Sequence, residues 1–325
     1  VFSPGSTLGP MSTLRRQQRD LDRVATGLRT QLERSAKFDE TLDLDAAYAT
    51  YWRVLELLGP QLPRLRVAAG LPARPPIMAR WQVRFAGPYA RTPVPSDRVF
   101  TYWNQPVDTA PPLVQACIAQ IRRFYPHLRV LDGASARDLV DIPDRIATVV
   151  EQSRPAHFSD YLRTRLLAEH GGIWFDATVW LGSNLDAQLH RYLRSGTVFP
   201  SWTKRQIANW FIASHSRTPL ITLQYLALQA WWDAYDDLPD YFLYHRVFEV
   251  LRALVPEVRG QWDSTPRLSS SAAHLLQLEM MQPWNPATVD AILTAAPLQK
   301  LSYKYDTVPP GSVLEHLLGT GPTGR

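Results

Sequence analysis

The chain has one cysteine, Cys117, so it cannot form an internal disulfide, and this usage suits a reducing compartment. No stretch approaches the ~20 apolar residues of a membrane-spanning helix. The start carries no charged-then-apolar secretory leader. A cytoplasmic location is expected, free or against the inner face of a membrane. One cysteine and eight scattered histidines offer no zinc-ligand spacing. No RNP-like or helix-turn-helix signature accompanies the basic charge, which argues against nucleic acid as a partner. Internal repeats and low-complexity tracts are also missing, and nothing in the pattern fixes an oligomeric state.

The 325 residues suffice for one large α/β domain or one domain with an appendage, and 45% hydrophobic content can fill a sizeable core. The net charge of +5 and a pI near 9.4 fit an anionic membrane surface, a nucleoside diphosphate or nucleic acid. Eleven Trp and thirteen Tyr supply core packing, and they are also the residues used as platforms in sugar and base sites.

Val1–Pro10 is small, turn-rich and uncharged. Because Met11 resembles a natural start, these ten residues are set aside as an appended or disordered remnant. Residues 11–95 read as a helical N-terminal region and linker. Leu14, Leu21, Val24, Leu28 and Leu32 recur at near-helical spacing. This first helix either packs on the main domain or meets a partner or membrane surface; the acidic residues interrupting its basic face favour packing. A second helix over Leu44–Leu58 is closed by Gly59-Pro60, with Gln61–Gly70 extending the region, and Pro72, Pro75 and Pro76 mark a boundary.

Residues 96–325 form the main domain. Arg98–Trp103 reads as a strand, Pro111–Tyr125 as a helix, Leu128–Leu131 as a second strand, and Ser135–Val150 as short helical segments. That order is the grammar of a layered α/β fold with a central, mostly parallel sheet. Further on, Thr197–Pro200 and Gln206–Ser214 read as strands, and Thr218–Tyr235 and Asp240–Leu251 as helices. The Pro-, Ser- and Trp-rich stretch from Arg259 to Pro286 suits substrate-shaping loops.

The central stretch is Ser159–Trp180, SDYLRTRLLAEHGGIWFDATVW. Phe158, Leu162 and Leu166 recur every four residues and face a core, while Asp160 and Arg163 share another helix face. Gly171 is placed to end the helix in a left-handed conformation. In the strand that follows, Ile173, Phe175, Ala177 and Val179 alternate with Trp174, Asp176, Thr178 and Trp180. Asp176 and Thr178 should therefore point the same way, within reach of Asp160 and Arg163. A capped core helix with a surface ion pair is the plainer alternative.

S-D-x-x-R followed by G-G-I-x-x-D-x-T resembles the donor-binding core of retaining sugar-nucleotide glycosyltransferases of the GT-A fold. It is most similar to capsular polysaccharide synthesis proteins and Och1-like mannosyltransferases of the glycosyltransferase family 32 type. Trp174 stands where Tyr is common, and Thr178 replaces the last Asp of D-x-D. VFTYWNQP with PPLVQACIAQIRRFYP, NWFIAS, DYFLYH and KLSYK extend the resemblance from about Phe100 to Tyr305. It implies a hexosyltransferase using a nucleoside-diphosphate sugar and a glycan acceptor in capsule or cell-surface polysaccharide synthesis, with retention. It also implies that Tyr102, Trp103 or Asn104 contacts the base, that Asn209 lies near the sugar, that His245 borders the acceptor, and that a tail with Lys300, Tyr303 and Lys304 folds over the diphosphate. The alternatives are core aromatics at a strand end, a structural histidine and a solvated basic run.

A departing nucleoside diphosphate needs positive charge beside it. Asp176 is the natural carboxylate for Mn²⁺ or Mg²⁺, with the Thr178 hydroxyl a weaker ligand and lysine charge taking part of the load. Asp160 and Arg163 could hydrogen-bond sugar hydroxyls. Because D-x-T departs from D-x-D, a catalytically inactive nucleotide-sugar or carbohydrate binder is the second reading.

Overall fold

The structure is a computed structural model that describes residues 10–36, 42–75, 89, 91–203 and 206–319. The first nine residues of the segment Val1–Pro10, and Pro76, lie outside them. Along the chain run α1 (Pro10–Ala36), α2 (Leu44–Ala68), β1 (Val99–Tyr102), α3 (Pro112–Phe124), β2 (Leu128–Leu131), α4 (Gly133–Arg137), α5 (Asp144–Ile146), α6 (Pro155–His170), β3 (Gly172–Phe175), β4 (Val179–Leu181), α7 (Asp186–Tyr192), β5 (Thr197–Val198), β6 (Pro200–Ser201), β7 (Phe211–Ser214), α8 (Pro219–Ala234), α9 (Leu243–Leu254), α10 (Pro256–Asp263), β8 (Leu268–Ser269), α11 (Leu275–Glu279), α12 (Pro286–Ala295), β9 (Leu298–Lys300) and α13 (Val313–Gly319). Among the described residues no helix is long and apolar enough to cross a membrane.

The central sheet has the order β2-β1-β3-β7-β5. β1 pairs in parallel with β2 and with β3, and β7 runs against both β3 and β5. Four of the five strands thus share one direction, and the chain forms the layered α/β fold with a mostly parallel sheet that its alternating pattern implies. Period-two alternation decides the layers. Val99, Ile173, Phe175, Phe211 and Ala213 face one way and join Val114, Ile118 and Ile121 of α3. Phe100, Trp174 and Ile212 face the other way, onto Phe158, Leu162 and Leu166 of α6 and onto α8. Each such large side chain, fully buried, contributes roughly 1.5–3 kcal/mol.

A third cluster gathers the outer face of α3 with α11, α12 and α13, and encloses Cys117. Burial pushes the Cys117 thiol up to about 12, so it is inert as a nucleophile. On the other side, α1 and α2 pack on α9, and α2 also meets α8. Arg66 of α2 makes a two-pronged bond to Glu257 of α10 at 2.8 and 2.7 Å.

α2 does not stop at Gly59-Pro60, as its sequence suggests, but continues through Pro60 and Pro63 to Ala68. The two prolines remove ladder donors. Burial of Leu55 and Leu58 and the Arg66 anchor hold the helix through them. Gly59 sits against Leu21 of α1, where an added Cβ would meet Leu21 Cδ1 at 3.3 Å.

The run after Gly171 also differs from one continuous strand. β3 ends at Phe175, residues 176–178 turn, and β4 belongs to a separate pair with β9. The break falls where the sheet runs out of partners. The Asp176 N–H donates to Trp210 O at 2.8 Å, just before β7 begins, and the Val179 N–H closes the turn onto Asp176 O at 2.9 Å. Similarly, Gln206–Ser214 forms a strand only from Phe211, and Asp240–Leu251 is helical only from Leu243.

Candidate active site

Pro155 stands in the first turn of α6, where its missing N–H costs nothing, so the helix starts four residues before Ser159. At the other end, Gly171 (φ 68°) and Gly172 (φ 126°) turn the chain straight into β3. A Cβ on Gly172 would meet Arg98 O at 2.3 Å, so glycine is what lets β3 lie beside β1. This short connection sets α6 across the sheet with Asp160 and Arg163 beside the end of β3.

There a cavity of about 580 Å³ opens at the C-terminal ends of β1 and β3. Crevices at the carboxyl ends of parallel strands are where open α/β sheets bind ligands. Its walls include Tyr102, Trp103 and Asn104 after β1, Asp176 and Thr178 after β3, and Asp160 and Arg163 on α6. Asn209, Tyr241, His245, Lys300 and Tyr303 complete it. Of the residues singled out from sequence, Lys304 alone is not in the lining. It is exposed, because β9 ends at Lys300 and the chain beyond leaves through Tyr303, whose ring meets Trp103 edge-on at 5.5 Å.

Arg163 is the hub. Its Nε donates to Ser159 O at 3.0 Å, Nη2 to Ser159 Oγ at 2.8 Å, and Nη1 to Asn209 O. Nη2 also pairs with Asp176 Oδ1 at 3.2 Å and with Asp160 Oδ1 at 3.4 Å, and the guanidinium lies 5.1 Å over the Trp174 ring. At 4% exposure this is no surface ion pair. Most of its donors are engaged within the protein, so Arg163 fixes the two carboxylates. Asp160 Oδ1 also accepts from Asn209 Nδ2 at 2.7 Å.

Asp176 is equally committed. Oδ1 accepts from Trp174 Nε1 at 3.0 Å, and Oδ2 accepts from Lys300 Nζ at 3.0 Å. Lys300 Nζ donates as well to Thr178 Oγ1 at 2.6 Å. Burial alone would raise the Asp176 carboxyl. The Arg163 and Lys300 charges and the Trp174 bond outweigh it and hold the group below its ordinary value. Asp176 is thus a half-buried acceptor inside a cationic cage.

The atoms offered to a divalent cation are therefore one carboxylate and one hydroxyl, both already turned on an ammonium. Among the described residues no group of three or more His, Cys, Asp or Glu could hold a metal. A divalent ion ~4 Å from a lysine ammonium is repelled by roughly 8 kcal/mol at an effective dielectric near 20. This set does not fit Mn²⁺ or Mg²⁺, which prefer several oxygens, commonly anionic.

His245 borders the cavity from α9, and its Nδ1 is buried with no hydrogen-bond partner. Burial pushes its imidazole down to about 4, so it is neutral at pH 7. Two features are not readable from spacing. Tyr241, 65% exposed on the rim and edge-on to His157 at 5.2 Å, precedes the helix assigned to it. The Trp174–Asp176 bond depends on the strand ending between them.

No curated protein and no solved structure matches this chain. The model of one family, described as capsular polysaccharide synthesis protein, matches residues 89–317. That span takes in the sheet, the cavity and the β4–β9 pair, and the chain belongs to the capsular polysaccharide synthesis protein family.

Proposed function

We propose that the chain is a hexosyltransferase of GT-A type, moving a sugar from a nucleoside-diphosphate donor to a hydroxyl of a growing surface glycan. The observation that carries this reading is the placement of Lys300, with Asp160, Asn209 and neutral His245, around one cavity walled by aromatic rings. Trp103 and Tyr303 offer faces for a base, with Tyr102 and Asn104 beside them. Lys300 and the N-terminal end of α6, whose Pro155 and Ala156 line the cavity, suit the diphosphate. Asp160 and Asn209 suit the sugar hydroxyls, and His245 and Tyr241 suit the acceptor.

In the reaction the bond from the anomeric carbon to the phosphate oxygen breaks, and its electron pair leaves with the diphosphate. The acceptor oxygen bonds to the same carbon from the same face, and its proton passes to a leaving phosphate oxygen. Positive charge fixed beside that oxygen lowers the barrier. The family resemblance supports retention and a role in capsule assembly.

Thr178 at the position of a second acidic residue favours the alternative of a binder without turnover. The test is a thermal-shift screen of UDP-, GDP- and CMP-sugars, followed by transfer assays with anomeric analysis by NMR. Stabilisation by a diphosphate sugar with transfer supports the enzyme. Stabilisation with neither transfer nor donor hydrolysis supports the binder.

A further inference from the structure

We propose that Lys300 is the built-in cation of this site: its ammonium occupies the place between Asp176 and Thr178 where a divalent metal would sit, and donor binding needs no added metal. The inference rests on the donor reading above and goes beyond it in assigning the counter-charge to the chain itself.

Three observations converge. First, Lys300 Nζ is bonded to both side chains that the D-x-T pattern offers as metal ligands, at 3.0 Å to Asp176 Oδ2 and 2.6 Å to Thr178 Oγ1. An ammonium has three N–H donors. Two are used within the protein, and the third is left for a phosphate oxygen in the cavity that Lys300 lines.

Second, the base of the side chain is fixed. Lys300 pairs with Val179 across the β4–β9 ladder, and the next N–H, of Leu301, donates to Thr178 O at 2.9 Å. On either side Gln299 is fully buried and Leu301 nearly so. Gln299 bonds to Leu276 N, Ala272 O and Ala296 O, so β9 is tied to the helices around it. The lysine therefore enters from a rigid strand, and its charge is in place before ligand arrives.

Third, the other carboxylate of the cavity does not complete a metal site. Asp160 Oδ1 is held by Asn209 and Arg163. Arg163 also holds Asp176 Oδ1, while Lys300 holds Oδ2. Both carboxylates are thus engaged by fixed cationic side chains, which leaves neither as an uncommitted anionic ligand for a metal. The substitution of Thr for the second Asp then has a physical sense. An acid at 178 would bind Lys300 as an ion partner and draw its charge away from the phosphate, whereas a hydroxyl orients the ammonium without neutralising it.

The experiment is calorimetry of UDP and GDP on the full chain, in EDTA and in excess Mg²⁺, together with titration of Mn²⁺ alone followed by electron paramagnetic resonance. For the nucleotide that binds, the wild-type affinity should differ less than about threefold between EDTA and Mg²⁺, and Mn²⁺ alone should find no site tighter than millimolar. Lys300→Ala should weaken binding in EDTA about tenfold or more, as expected for loss of a charge-assisted bond. Lys300→Arg should keep metal-independent binding. Binding by the wild type only in Mg²⁺, or a micromolar Mn²⁺ site, would overturn the inference and leave the donor reading standing. Neither measurement needs a variant to fold. Binding in EDTA with no sugar transfer would uphold it and overturn the enzyme. No nucleotide binding in either buffer would overturn both.

Discussion

The indole N–H of Trp174 donates to Asp176 Oδ1 at 3.0 Å, while the same ring lies under the guanidinium of Arg163, which pairs with the same oxygen. One large aromatic thus orients the acid and backs its counter-ion. The bond joins residues two apart because the strand ends between them.

Trp174→Phe keeps a ring but removes the donor and part of the volume at a fully buried position. We expect a loss of about 1–3 kcal/mol in urea unfolding, combining a lost hydrogen bond with a small cavity. Nucleoside-diphosphate affinity should fall by less than in Lys300→Ala, since Asp176 keeps its two charged partners. An unchanged unfolding midpoint would show that the bond does not form.

Arg163→Ala strips the shared partner from two largely buried carboxylates. Breaking a buried pair by removing one member costs about 3–5 kcal/mol, several times what a surface pair contributes. Arg163→Lys should rescue little, because one ammonium cannot reach Ser159, Asn209 and Asp176 together. Chemical denaturation measures both. A loss under ~1 kcal/mol for the alanine variant would refute the hub.

Asp176→Asn leaves Lys300 and Arg163 each short of a negative partner, so stability should drop by roughly 1–3 kcal/mol. Asp176 titrates below its ordinary value when folded. Its ionised form therefore stabilises the fold above the unfolded value near 3.9, and that contribution is lost as pH falls through the lower folded value. Unfolding free energies between pH 2 and 6 should show a shallower acid limb in the variant than in wild type.

His245 acts over a different range. It titrates near 4 when folded, because of burial, and near 6.5 when unfolded. Between these values the unfolded chain binds more protons, so stability falls as pH drops from 6.5 towards 4, and above 6.5 the histidine contributes no slope. His245→Gln should flatten the stability curve across that range. An identical curve would place the imidazole in water.

Much of this was legible in the chain. Alternation in Val99–Tyr102 and Gly172–Phe175, and the four-residue recurrence of Phe158, Leu162 and Leu166, are local signals that give the layers directly. The proximity of Asp160, Arg163 and Asp176 follows from a helix, a glycine turn and a strand in immediate succession. What could not be read depends on partners far away. Period-two alternation continues past Asp176, but the strand does not, since its neighbours end at Tyr102 and begin at Phe211. Composition marks Asp160–Arg163 as an ordinary i,i+3 pair, and only the packing of Trp174 and Asn209 around it makes it buried. Lys300 and Lys304 look equivalent in KLSYK, and only the β4–β9 register separates the one in the cavity from the one in solvent.

The turn at residues 176–178 hands the chain from one sheet to another, and it also sets an order of completion. Arg163 meets Asp176 through a short loop, whereas the Lys300 bridge closes 124 residues of chain. Loop closure costs more entropy as the loop lengthens, and domains emerge from the ribosome N-terminal part first. The Arg163–Asp176 contact therefore needs far less closure entropy than the Lys300 bridge, which waits on residues near the end of the chain. The cavity gains its last positive charge only when the C-terminal ribbon docks.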